Sequence, residues 1–512
     1  MSKKIMFQGT GSSVGKSLIV AAMCRILNDE GVKVAPFKSQ NMSLNSYITE
    51  DGKEMGRAQV FQAEAARIKP MVEMNPILLK PTSDQGSQVI LYGSVYDNME
   101  AKKYFSSKEM LIPYIQKAFA ALENKVDVIV IEGAGSPAEI NLRSRDVVNM
   151  GLAELIDTDV ILIGDVDKGG VFASLYGTFL LLSESERQRV KGFVINKFRG
   201  DVALLMPGVE MLEELIKRKC LGVIPFIERL MIDDEDSVTE RFDAREKIEE
   251  GSNPATVIIG VIKLPYMSNF TDFTVFDHEP NVSLTYIQKS EDIAKCHMII
   301  LPGSKNTLHD MKYLMDSHLS EGIYRAHKKG VLIMGICGGY QMLGNVIRDP
   351  YETESKLLEV NGLGLLDVTT EMAKEKTTTQ STGRILYAPF EIESPEIKGY
   401  EIHMGITTLN QESVKPFIST SMDCNDGAIN ATKTVIGTYF HGIFDNDAFR
   451  RALLDDVKVK SGLSSAREGS LTSDKKVSYE AEKDKAYDRL AEVVRTHMDM
   501  QAFYNILNES RS

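Results

Sequence analysis

The chain has 512 residues, 43% of them hydrophobic and 26% charged, with a net charge of -13 at neutral pH, which is enough for two or three domains with full cores. An acidic balance without a basic cluster speaks against a nucleic-acid partner, because neutralising phosphates needs concentrated Lys and Arg. Its five cysteines, Cys24, Cys220, Cys296, Cys337 and Cys424, are scattered and never form a CxxC pair, which argues against a disulfide framework and against a thiolate zinc site.

The opening "MSKKIMFQGT" turns polar after three apolar residues, so it lacks the apolar region of a signal peptide. No later run is long enough to span a bilayer, so no membrane partner and a cytoplasmic location are expected. Buried-type apolar runs then alternate with helix-length segments: "KIMFQGT", "LIVAAMCRILNDEG", "KVAPFKSQ", "VDVIVIEGAG", "TDVILIGDVD" and "VKGFVINKF". Strands apolar on both faces and separated by helices predict a doubly wound parallel α/β domain over residues 1–230. A charged stretch without apolar period, "MIDDEDSVTERFDAREKIEEGSNP", predicts a linker over 231–254. The pattern restarts with "ATVIIGVIKLP", "HMIILPGSKNT" and "GVLIMGICGGYQMLG", predicting a second doubly wound α/β domain over 255–450. Residues 451–512 read as a polar segment followed by one terminal amphipathic helix.

The first run carries the strand–loop–helix pattern of a phosphate cradle, "FQGTGSSVGKS". Gly9, Thr10, Gly11, Ser12, Ser13, Val14 and Gly15 would turn backbone N–H groups toward phosphate oxygens. Lys16 would neutralise the terminal phosphates, and Ser17 would ligate Mg2+ at the helix start. The first glycine departs from the common spacing by one place, since that position is Thr10. A magnesium site needs a further acid at a neighbouring strand end. Glu132 in "VIVIEGAG" supplies one, while Asp165 and Asp167 end another strand and are either acids of the site or helix caps. Asn196, just past the strand in "FVINKF", is placed where its amide can bond a nucleotide base.

In "VLIMGICGGYQMLG" a buried strand passes through Cys337 straight into a helix, with glycines allowing the sharp turn. Such an elbow lifts the thiol to the carboxyl edge of the sheet, and the helix start favours the thiolate. The N–H of Gly338, with Gly303 and Ser304 of "LPGSKNT", would stabilise an oxyanion. A buried structural cysteine has no need of this glycine pattern. His441 in "GTYFHGIF" and His403 in "GYEIHMG" are the candidate bases, His441 first.

"LPGSKNT", "GICGGYQMLG" and "GTYFHGIF" together resemble a class I glutamine amidotransferase domain, and "GTGSSVGKS" with "EGAG" resembles the ATP domain of dethiobiotin synthetase and its relatives. More closely, "PFKSQNMSLNSYIT", "EMGRAQVFQAEAA", "GSQVILYG" and "DKGGVFASLYGT" are similar to the cobyric acid synthase family of the cobalamin pathway. The fold implied is α/β with two doubly wound domains, an N-terminal P-loop NTPase-type parallel sheet and a C-terminal class I glutamine amidotransferase-type sheet. The activity implied is ATP- and Mg2+-dependent amidation of an adenosylated corrinoid, with ammonia taken from glutamine by Cys337 and His441. The glutamate that class I domains carry two residues after the histidine is Ile443 here, so the resemblance leaves open what orients His441, with Asp445 and Glu401 as candidates. Lys38, Gln40, Asn41 and Asn45 are candidates for the corrinoid or acyl-phosphate site. The rival readings are another glutamine-dependent amide ligase, such as cobyrinic acid a,c-diamide synthase, and a partitioning-type ATPase with an inert second domain.

Overall fold

Strands that are apolar on both faces have to be covered on both faces, and the first half of the chain meets that demand with a six-stranded parallel sheet. In a computed structural model, which describes residues 2–81, 86–100, 104, 108–228, 230–232, 256–411, 414–421, 424–463 and 478–509, its spatial order is Lys219–Pro225, Val190–Phe198, Asp159–Asp165, Lys3–Gly9, Val128–Glu132, Val34–Phe37. Every neighbouring pair is parallel. The chain order reverses beside Lys3–Gly9, so the crevice at the carboxyl ends of that strand and of Val128–Glu132 is the place where such sheets bind ligands.

Between Val34–Phe37 and Val128–Glu132 the chain inserts a second layer that the strand pattern does not announce. Gln40–Met42, Ile77–Pro81, Gly86–Leu91 and Ser94–Glu100 form a four-stranded sheet, and Ser46–Ile48 pairs with Glu54–Gly56 in a small hairpin. The helix Arg57–Ala65 follows directly and buries one side against the helix Lys16–Asp29.

The second domain repeats the doubly wound plan. Val282–Ile287, Val257–Ile262, Met298–Leu301, Leu332–Ile336 and Val435–Thr438 run parallel, and Ala428–Ile429 closes the edge antiparallel. Its long hairpin, Val368–Ile385 against Glu396–Leu409, extends to the first domain. There Thr378 Oγ1 donates to Gly52 O (3.0 Å), and Lys376 Nζ meets Glu54 Oε2 (2.5 Å). The helix Asp447–Lys460 continues past position 450, where a boundary was expected, because Phe449, Leu453, Leu454 and Val457 are buried in this domain's core.

The C-terminal end differs from expectation. Instead of one helix there are two, Tyr479–His497 and Met500–Glu509. Asp499 makes the break: its Oδ1 accepts from Ala502 N (2.9 Å), as a helix-capping side chain does, and its own N–H donates to Leu221 O (2.6 Å). The turn lets both helices return to the first domain. Fully buried Arg25 reaches Asp484 (2.6 Å) and Asp488 (2.7 Å), and Phe503 stacks on Phe7 with ring centres 6.5 Å apart. The linker expected at 231–254 lies outside the described residues except for Met231 and Ile232, as do residues 464–477 of the polar segment.

Candidate active sites

The loop between Lys3–Gly9 and the helix Lys16–Asp29 sits in the first crevice. Gly15 turns it with φ 91°, and a Cβ there would stand 2.2 Å from Asn196 Nδ2, so only glycine serves. Lys16 Nζ donates to Gly11 O (2.9 Å) and Gly135 O (3.3 Å), which folds the lysine over the loop. Ser17 Oγ donates to Glu132 Oε1 (2.8 Å), uniting the hydroxyl and the acid that the sequence paired. Glu132 is buried, with Lys38 Nζ at 2.9 Å from Oε1 and Gln62 Nε2 at 2.5 Å from Oε2. Lys38 thus stands at the buried acid beside the phosphate loop.

Several expected roles come out differently. Asn196 Nδ2 donates to Val14 O (2.9 Å), so its amide braces the loop instead of reaching toward a base. Lys197, which the sequence reading passed over, does the same at Ser13 O (2.5 Å). Asp165 pairs with Lys197 (3.0 Å) and Asp167 with Arg199 (3.0 Å). The other polar residues of "FKSQNMSLNS" are spread out. Gln40 accepts from Tyr104 OH (2.6 Å), Asn41 Nδ2 donates to Gln59 Oε1 (3.3 Å), and the carbonyl of buried Asn45 accepts from Arg57 N (3.2 Å).

In the second domain Cys337 occupies the elbow with φ 53° and ψ -109°, a strained conformation for a residue with a side chain. Its N–H is held by Thr438 O (2.8 Å) and its carbonyl by Gln341 N (3.1 Å), so the flanking strand and helix together enforce the turn. A Cβ on Gly338 would stand 2.8 Å from Ser304 N, which brings the expected oxyanion donors of Gly338 and Ser304 side by side. Asp310 fixes Ser304 by accepting from its Oγ (2.6 Å). Burial pushes the thiols of Cys24, Cys220 and Cys296 up, which suits inert packing residues.

His441 lines the same pocket as Cys337, and its orienting partner is Asp272, neither of the two candidates named from sequence. His441 Nδ1 lies 2.6 Å from Asp272 Oδ2, and Gly442 N donates to Asp272 Oδ1 (3.1 Å). Burial alone would favour neutral imidazole. Asp272 and, after it, Cys337 outweigh that effect and push His441 up to about 10. Glu401 instead serves His403 (3.4 Å) and Ser381 (2.7 Å). Asp445 lies in the turn after Gly442. His403 also lines the pocket, with its ring stacked on Tyr439 at 3.8 Å. Asp272 escaped the sequence reading because it lies far before Cys337, in the short helix Phe270–His278 of "SNFTDFTVFDH", where only proximity in space reveals it. Asp272→Asn should lower kcat for glutamine hydrolysis by roughly 10³- to 10⁴-fold. Without the carboxylate the imidazolium discharges at lower pH, so any alkaline fall in rate should move to lower pH; a full pH–rate profile checks both.

The first domain completes the far wall of this pocket. Lys80 Nζ donates to Glu54 Oε1 (2.8 Å) and to Ser46 Oγ (2.9 Å), while Ser46 N donates to Asn269 Oδ1 (3.0 Å) beside His441. Tyr400, stacked on His441 at 5.3 Å, donates to Ser46 O (3.1 Å). Burial opposes ionisation of Glu54, but Lys376 and Lys80 hold its carboxyl well below the usual range, so it is charged in the interface.

Residues 5–239 match the model of a CobQ/CobB/MinD/ParA nucleotide binding domain, and residues 258–449 match that of a CobB/CobQ-like glutamine amidotransferase domain. A curated relative named cobyric acid synthase from Alkaliphilus metalliredigens (strain QYMF) is 52% identical, with 98% of this chain and 99% of the relative covered. The relative of the same name from Thermoanaerobacter sp. (strain X514) is 50% identical with 99% of each covered. The chain belongs to the cobyric acid synthase family. As a cobyric acid synthase family member it is a glutamine-hydrolysing amide ligase, with a nucleotide-binding domain and an amidotransferase domain in one chain. Both parts match where the two doubly wound sheets stand. Among the described residues no helix is long and apolar enough to cross a membrane.

Proposed function

We propose that the chain uses ATP to activate the b, d, e and g carboxylates of adenosylcobyrinic acid a,c-diamide and amidates each with ammonia from glutamine. What carries this reading is the meeting of two centres in one chain: the Ser17–Glu132 pair under the phosphate loop and the Cys337–His441–Asp272 set, linked by residues 38–56. At the first centre a substrate carboxylate oxygen attacks the γ-phosphorus of ATP and ADP leaves, giving an acyl phosphate. Lys16 and the loop amides hold the phosphates while charge shifts.

Ser17 and Glu132 fit Mg2+, being hard oxygen donors 2.8 Å apart at a helix start, and they would hold it there. When bound, the ion neutralises charge on the transferring phosphates.

At the second centre Cys337 Sγ attacks the side-chain amide carbon of glutamine. His441 takes the thiol proton and returns it to the departing ammonia, leaving a glutamyl thioester that water hydrolyses to glutamate. Ser304 N–H and Gly338 N–H receive the oxyanion. Ammonia delivered unprotonated then attacks the acyl phosphate carbon, phosphate leaves, and a primary carboxamide remains.

The test is mass spectrometry of adenosylcobyrinic acid a,c-diamide incubated with the protein, Mg2+-ATP and glutamine. Four successive exchanges of carboxyl for carboxamide are expected. An unchanged corrinoid with glutamine still hydrolysed would move the proposal to another carboxylate. Amidation only of cobyrinic acid, at its a and c positions, would replace it with a,c-diamide synthesis.

A further inference from the structure

The pocket beside Cys337 is lined by more charge than the thiol chemistry uses. Three lysines face it, Lys80, Lys305 and Lys376, with the carboxylate of Glu354. Lys80 and Lys376 are both engaged by Glu54, at 2.8 and 2.5 Å. Lys305 differs: among the described residues no carboxylate lies within ion-pair distance of it, and its Nζ donates to the neutral Gln88 Oε1 (3.1 Å). Yet it is only 8% exposed, and a buried ammonium without an anion in contact is costly. Glu354 lines the same cavity, with Oε2 fixed by Thr307 N (2.9 Å).

We infer that Lys305 and Glu354 form a clamp for the zwitterionic head of glutamine, Lys305 taking the α-carboxylate and Glu354 the α-ammonium. The inference rests on the reading of Cys337 as the thiol that attacks glutamine. A single loop then recognises both ends of the substrate. Ser304 N–H stands at the reacting carbonyl, and Lys305 and Thr307, which holds Glu354, follow directly in the chain. The free pocket is unfavourable to both charges. Burial lowers the Lys305 ammonium and raises the Glu354 carboxyl, and their mutual attraction only partly offsets this. A ligand bringing one anion and one cation relieves both at once, and a neutral amide or a single ion does not. The clamp explains selection of an amino acid over simpler primary amides, which the thiol and oxyanion donors alone would not distinguish.

The test compares glutamine with two analogues, 4-aminobutanamide, which lacks the α-carboxylate, and glutarate monoamide, which lacks the α-ammonium. Hydrolysis is measured with the full-length protein. Lys305→Met should raise KM for glutamine roughly 100-fold with kcat within about threefold, and should erase the preference for glutamine over 4-aminobutanamide. Its preference for glutamine over glutarate monoamide should survive. Glu354→Gln should show the opposite pattern. Equal losses with all three amides, or a fall in kcat alone, would show that the pair shapes the loop and does not read the head group. Calorimetric titration of glutamine into Cys337→Ala protein, with and without Lys305→Met, removes chemistry from the comparison. A Kd weakened about 100-fold supports the clamp, and an unchanged Kd overturns it. If Cys337→Ala protein still hydrolyses glutamine as fast as the parent, the thiol reading fails, and the KM comparison of the three amides with Lys305→Met still decides the clamp.

Discussion

Cys337→Ser should reduce glutamine-dependent amide synthesis by about 10³-fold or more while leaving synthesis from ammonium salts intact. The change exchanges one atom at the strained elbow, where the backbone is held from both sides by Thr438 and Gln341. The fold has no reason to respond. A hydroxyl beside His441 is a far weaker nucleophile than the thiol it replaces, so no thioester forms and no ammonia is released. In the proposed reaction, ammonia supplied from solution bypasses the thiol and still reaches the activated carboxylate. Parallel rate measurements with glutamine and with ammonium chloride check this, and equal loss with both sources would contradict separate centres.

Lys16→Ala should abolish synthesis from either nitrogen source, by roughly 10³-fold, because it acts before ammonia enters. The side chain is 5% exposed and lies along the loop, bonded to the carbonyls of Gly11 and Gly135. A cation held there is placed for phosphate oxygens, and alanine leaves their charge without a partner in the crevice. Glutamine hydrolysis measured on the same protein is the control. If it persists while amidation is lost, the defect lies in activation of the carboxylate; amidation persisting with Lys16→Ala would refute the phosphate-loop assignment.

The two centres share structure as well as a chain. The helix Arg57–Ala65 supplies Gln62 to Glu132 at the phosphate loop, while its first residue, Arg57, binds Asn45 O and lies over the ring of Tyr47 at 5.3 Å. Tyr47 packs on Tyr400, which stacks on His441. The segment "SQNMSLNS", distinctive of the family resemblance, thus lies between nucleotide and thiol chemistry. That placement explains why its polar residues are distributed among several partners instead of forming a single binding surface.

Sequence by itself determined the features that depend on local patterning. Apolar runs bounded by glycine turns specify buried parallel strands wherever they occur, so both doubly wound sheets, the phosphate loop from Gly9 to Ser17 and the Cys337 elbow were legible. Glu132 was legible too, because an acid at the end of a buried strand can only stand at the carboxyl edge of its sheet. Tertiary structure alone decided which distant residues meet. Asp272 reaches His441 from 169 positions away in the chain, Lys38 turns back onto Glu132, and Asn196 spends its amide on Val14 instead of a base. The terminal helices were misread as one because an apolar period resumes directly beyond Met498, while the bond from Asp499 N to Leu221 O and the docking of Phe503 on Phe7 exist only against the first domain. A hydrogen bond between remote side chains leaves no period in sequence; it is fixed by how packed layers bring loops together, and that is where the orienting carboxylate and the shared pocket wall were settled.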